Sequence, residues 1–133
     1  MVENRCARLR YFEELIPPPL HTSLLPAWRA AGYGLGFLPT FVAGEAGLYA
    51  TVRSVETFVE KHYNEQITRL EQEELDDDGK ELVRLLRACC EDEVHHKEDA
   101  ANRLGAADGA VAAGWGTLVE FGSAVAAEVA RRV

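Results

Sequence analysis

The chain has no Cys-x-x-Cys pair. Its three cysteines, Cys6, Cys89 and Cys90, are odd in number and carry no metal-ligand spacing. A disulfide framework and a cysteine zinc site are therefore excluded, and a reducing compartment is the default. Basic residues are scarce: 14 Lys and Arg stand against 22 Asp and Glu, for a formal net charge of -8. Nucleic-acid affinity comes mainly from Lys and Arg on phosphates, so nucleic acid is excluded as a partner. Long apolar runs are absent too. The longest stretch free of Asp, Glu, Lys, Arg and His is residues 30–44, which holds Gly32, Gly34, Gly36, Gly44 and Pro39. A spanning helix needs roughly 20 apolar residues, so this run reads as too short, and being internal it is no signal peptide. The start mixes Arg5, Arg8 and Arg10 with Glu3, Glu13 and Glu14, which makes a poor transit peptide. No segment alternates apolar and polar residues as a strand would, and none is of low complexity.

What remains is helical. The 133 residues are 47% hydrophobic, enough for one domain with a real core. Leu9, Phe12, Leu15 and Ile16 form a stripe on a helix over residues 2–16, which Pro17, Pro18 and Pro19 stop. Thr22 or Ser23 suits the cap of a second helix, with Pro26 in its first turn and Leu24, Leu25, Trp28, Ala31, Leu35 and Leu38 along it. A long helix follows over about residues 40–74, with a soft start at Gly44 and Gly47. Its stripe is Val52, Val55, Val59, Tyr63, Ile67 and Leu70. Asp76, Asp77, Asp78 and Gly79 read as a loop. A further helix spans residues 80–104 with Gly105 as its cap, and a last one runs from after Asp108 to about Ala130. The pattern predicts a single all-α domain over residues 1–133, of four or five helices, antiparallel where loops are short.

Chemistry concentrates at Glu91, Asp92, Glu93, Val94, His95 and His96. Carboxylate and imidazole three residues apart on a helix aim at one point. Two such pairs overlap, Glu93 with His96 and Asp92 with His95, and they point about 100° apart. Leu86, Cys89 and Ala100 lie four or seven residues from Glu93 or His96, which turns that pair inward and Asp92 and His95 to the flank. A Glu-rich helix with two His is by itself most often a solvated face. The signal rises because Glu56 sits on the apolar stripe of the long helix, four after Val52 and three before Val59. An unpaired carboxylate there would be costly. Glu45 and Glu60 read as solvated, His62 as a polar-face histidine and Tyr63 as core.

In order along the chain come Ala43-Gly44-Glu45-Ala46-Gly47, Thr51-Val52, Val55-Glu56, His62-Tyr63-Asn64-Glu65-Gln66-Ile67 and Asp92-Glu93-x-x-His96. With Pro26-x-Trp28 ahead of Gly32, they resemble the C-terminal part of the demethoxyubiquinone hydroxylases, di-iron mono-oxygenases of ubiquinone biosynthesis. The resemblance runs from about residue 9 to the C-terminus and is most specific at residues 62–67, Glu56 and Glu93-x-x-His96. It implies a ferritin-like di-iron helical bundle. It makes Glu56 a terminal iron ligand, Glu93 a bridging carboxylate and His96 a terminal imidazole ligand. His62 and Tyr63 match polar residues beside the metals, which position the quinol or pass electrons and protons. The implied reaction is hydroxylation of a polyprenylated demethoxyquinol with O2, with NADH or the quinol as reductant. The implied setting is the matrix side of the mitochondrial inner membrane, peripherally bound, or the cytoplasmic membrane in a bacterium. Other ubiquinone-biosynthesis proteins, including one that presents the lipid, are the implied partners.

The family uses six ligands, three of them from an N-terminal helix pair. Arg5 and Arg8 stand here where that pair would carry its Glu and His. The chain is thus expected to be an incomplete bundle lacking that helix pair, with ligands for one iron, as a truncated product or a short diverged homologue. The missing pair would leave apolar surface on the face carrying Glu56 and His96. The Gly- and Trp-containing stretch over residues 24–48 reads as a membrane-interfacial hairpin. The competing expectation is a non-catalytic remnant, acting as an interaction module or as a single-metal iron binder.

Overall fold

The structure, a computed structural model, describes residues 24–105 and 109–132 together with Arg10 and Glu14. Apart from Arg10 and Glu14, the helix expected over residues 2–16 lies outside the described residues, as do the three prolines after it and the Thr22 and Ser23 caps. The described residues form three helices and no strand: α1 (Leu25–Leu70), α2 (Asp77–Leu104) and α3 (Ala110–Ala130).

The two helices expected to meet near Thr40 instead meet at Gly44, inside the length of α1. Pro39 does not end the first arm. It removes one amide donor, but Thr40 Oγ1 donates to Gly36 O at 2.7 Å in the same turn. The bend needs two glycines. Gly44 takes φ 60° and ψ -141°, which a side chain disfavours. At Gly47 a Cβ would lie 2.1 Å from Pro39 O, so the second arm passes directly against the backbone of the first.

The expected loop at Asp76–Gly79 is a helix start. Asp76 Oδ1 accepts from Gly79 N at 2.8 Å, and Asp77 and Asp78 occupy the first turn of α2. Carboxylates favour that end because they cap free amides and meet the positive pole of the helix. The connection from α1 is correspondingly earlier, over residues 71–76. Gly105, at φ 48°, closes α2 as expected, and α3 keeps its expected extent.

Both α2 and α3 pack on α1. At the α1–α2 turn, Ile67, Val83 and Leu86 are buried together, with Tyr63, Leu70, Leu75 and Leu82 around them. Cys89, Ala100 and Leu104 carry the buried seam along α2. Small residues let α3 approach: a Cβ at Gly116 would lie 2.8 Å from Ser54 Oγ. Trp115 Nε1 donates to Thr51 Oγ1 at 2.8 Å across the same contact.

Exposed apolar surface was expected on the face carrying Glu56 and His96, yet among the described residues no large exposed apolar side chain lies on the second arm of α1 or on α2. Such side chains lie instead on the first arm of α1 and on α3. Tyr33, Phe37 and Phe41 stack along one face of the arm, with ring centroids 6.0 and 5.7 Å apart. Leu118, Phe121 and Val125 are exposed on α3. By length and composition, α1 and α3 are each long and apolar enough to cross a membrane. The uncharged run of residues 30–44 understated this, because a span tolerates a few charges. Only 22% and 11% of those apolar windows are buried, so neither is covered as a core helix would be.

Candidate metal centre

The second arm of α1 presents Glu56, and α2 presents Glu93 and His96. The burial of Val83, Leu86, Cys89 and Ala100 sets which side of α2 meets α1, and Glu93 and His96 share that side. His96 Nδ1 lies 3.1 Å from Glu93 Oε2 and 4.0 Å from Glu56 Oε1. One ligand atom from each of the three lies within 4.8 Å of the others, and they are the one such group of metal-ligating residues among the described residues. Their side chains are 13 to 21% exposed, so the group is shielded but reachable. Asp92 is half-buried at the flank and His95 is exposed, so the inward pair is the Glu93–His96 one.

The donor set is two carboxylates and one imidazole. Hard oxygen with imidazole suits iron, manganese or zinc as a divalent ion, and two carboxylates balance its charge. Neither buried cysteine of α2, Cys89 or Cys90, belongs to this group. Burial raises the pKa of the Cys90 thiol, and Glu60, Glu91 and Glu93 raise it further against the lowering effect of Lys97.

The structure does not place His62 and Tyr63 in this group. Six and seven residues beyond Glu56, they lie about 9 and 10 Å further along the helix axis. His62 stacks on Phe58 at 5.6 Å, accepts from Gln66 Nε2 at 2.9 Å and lines a groove with Glu120 and Arg131. Tyr63 packs on the Ile67–Val83–Leu86 cluster.

Two features escaped sequence reasoning. Glu60, expected to be solvated, is half-buried and paired with Lys97 of α2. Its position four residues after Glu56, with Lys97 directly after His96, was the available signal. The second feature is an apolar cavity of about 360 Å³ at the α1 bend, lined by Pro39, Val42, Ala46, Ala50, Val111 and Trp115. It brings together residues over 70 positions apart, so no local pattern marks it.

The family model for "Ubiquinone biosynthesis protein COQ7" matches residues 1–130. The mitochondrial NADPH-dependent 3-demethoxyubiquinone 3-hydroxylase of Dictyostelium discoideum is 36% identical over 85 residues, covering 64% of this chain and 36% of that protein. The protein of the same name from Mus musculus is 34% identical over 77 residues, 58% of this chain and 35% of its own length. That of Caenorhabditis elegans is 32% identical over 88 residues, 64% of this chain and 44% of its own. The matched part thus spans between about a third and a half of these relatives. No solved structure matches the chain.

Proposed function

The chain belongs to the COQ7 family of ubiquinone biosynthesis proteins, and from that membership we propose that Glu56, Glu93 and His96 hold iron for the hydroxylation of a 3-demethoxyubiquinol. The convergence of the three ligand atoms within 4.8 Å is the observation that carries this reading. Iron bound there would supply the one-electron chemistry with O2 that a ring hydroxylation requires. The protein's own part is to hold it. Glu56 and Glu93 neutralise the charge. Glu93 also keeps the His96 ring turned so that Nδ1 faces both carboxylates.

Di-iron carboxylate bundles use two lone Glu and two Glu-x-x-His motifs on four helices. The described residues carry one of each, which supports one metal position and half of a bridge. A two-iron centre therefore needs a second ligand set beyond these three residues. In this proposal His62, which lines a groove with Glu120 and Arg131, and Tyr63 position the quinol or pass electrons and protons. The relatives are named for NADPH, and we take a reduced nicotinamide or the quinol itself as the source of electrons.

The polyprenyl tail needs an apolar route. The first arm of α1 and the exposed face of α3 lie, in this proposal, in the interfacial region of a membrane, with the aromatic ladder Tyr33–Phe37–Phe41 as anchor. The cavity beside Trp115 opens at that level and suits the prenyl chain. The relatives are named mitochondrial, which supports a mitochondrial setting; attachment to the matrix side of the inner membrane is part of this proposal. A lipid-presenting protein of the same biosynthesis would dock there. The net charge of -8 points to hydrophobic rather than electrostatic attachment. Flotation with neutral-lipid vesicles is the expected result, and a chain left in the pellet-free aqueous layer would refute it.

A second reading, a single-metal binder or interaction module without turnover, is favoured by the three-ligand set. One experiment separates the two. Fe(II) is titrated anaerobically into the purified chain, and O2 and a demethoxyquinol analogue are then added. Hydroxylated product supports the enzyme. One iron without product supports the binder, and no binding at all removes the metal reading.

A further inference from the structure

Lys97 follows His96 directly, yet its side chain crosses to α1 and its Nζ donates to Glu60 Oε2. Both side chains are less than a third exposed, at 27% and 29%. Glu60 lies one turn past Glu56, about 6 Å along the axis and about 40° around it, so it shares the face that meets α2. The two helices are close at this level: the Cys90 thiol reaches the Glu60 backbone carbonyl at 4.0 Å. Burial first, and then the carboxylates of Glu60, Glu91 and Glu93, raise the pKa of that thiol.

We propose that Glu60 is a reserve fourth ligand of the Glu56–Glu93–His96 site, its third carboxylate, held away from it by Lys97. The inference rests on the metal reading above. Two carboxylates already neutralise a divalent ion. A third would add both a donor and a negative charge, and oxygen-donor sites gain affinity with ligand charge. Lys97 cancels that charge and places a cation beside the metal position, which opposes loading of another cation. The pair therefore sets how tightly the centre holds its metal. A plain clamp between α1 and α2 would have the opposite signature, since losing it would loosen the site and weaken binding.

The test is calorimetric titration of anaerobic Fe(II) into the full chain and three variants, with Co(II) absorption as a record of ligand number. Lys97→Met keeps the aliphatic stem and removes the charge. It is expected to tighten Fe(II) binding by about tenfold or more and to change the Co(II) spectrum. Glu60→Gln leaves the Lys97 cation unopposed and weakens binding. The double variant returns to within about threefold of the parent and regains its Co(II) spectrum. Lys97→Gln replaces Lys97→Met should the latter fail to give the parent's circular dichroism. Binding unchanged or weakened in Lys97→Met, or in Lys97→Gln where that replaces it, overturns the proposal while leaving the metal reading intact. A parent that binds nothing beside a Lys97→Met variant that binds supports it. Absence of binding in parent and variants alike overturns both.

Discussion

Gly47→Ala tests the bend in α1 most directly. The new methyl would sit 2.1 Å from Pro39 O and 2.6 Å from Pro39 C. Both are backbone atoms of a helix, so no rotamer change relieves the overlap and the two arms must separate. Overpacking a filled site costs about 1–3 kcal/mol, and a rigid backbone neighbour argues for the upper end. A loss of about 3 kcal/mol lowers the melting temperature by roughly 12 °C at about 4 °C per kcal/mol for a chain of this size. Gly36→Ala is the control on the same arm. Nothing lies within 4 Å of its added Cβ, so it should gain about 0.5–1 kcal/mol from helix propensity. Urea unfolding followed by circular dichroism measures both. The reasoning also separates stability from the site. Glu56 lies nine residues past Gly47, about 13 Å along the second arm, so Gly47→Ala should keep its metal binding at low temperature. Equal stability of Gly47→Ala and parent would refute the close approach at the bend.

Three further outcomes are expected. Glu93→Ala abolishes metal binding and Asp92→Ala leaves it near the parent value, because only Glu93 shares the inward face with His96; calorimetry reporting the reverse would mean that the other register of α2 faces α1. Asp76→Ala removes the side-chain acceptor for Gly79 N and should destabilise the chain by about 1 kcal/mol in urea titration. The Cys90 thiol binds its proton more tightly when folded, so the folded state holds more protons than the unfolded one. Stability is then full below the unfolded thiol range and falls as pH rises through it toward the raised folded value; a Cys90→Ala variant should flatten that alkaline slope.

Helix positions were legible where they depend on local periodicity or local caps. The stripe through Val59, Tyr63 and Ile67, the Gly105 cap and the extent of α3 all follow from residues within one or two turns. Two boundaries were misplaced for identifiable reasons. A string of acids with a glycine resembles a loop, but at Asp76 the same residues satisfy free amides and the helix pole. The break expected near Thr40 falls at Gly44 instead, where a positive φ absorbs the change of direction. At the site, Glu93 and His96 were legible together, because three residues along one helix fix their relative direction. Glu56 stood out as an acid on an apolar stripe.

Residue order alone thus decided that this is a helical protein and which face of α2 carries Glu93 and His96. Those properties are set by spacings of three, four and seven within single helices. How far α1 and α2 are rotated and slid against each other is set by packing around Ile67, Val83 and Leu86. That packing alone brings Glu56 to 4.0 Å from His96, sends Tyr63 into the core instead, and joins Lys97 to Glu60. The close approach of Gly47 to Pro39 and the packing of α3 on α1 form the cavity beside Trp115. A helix's own periodicity states where a side chain points, but only its neighbour states what it meets.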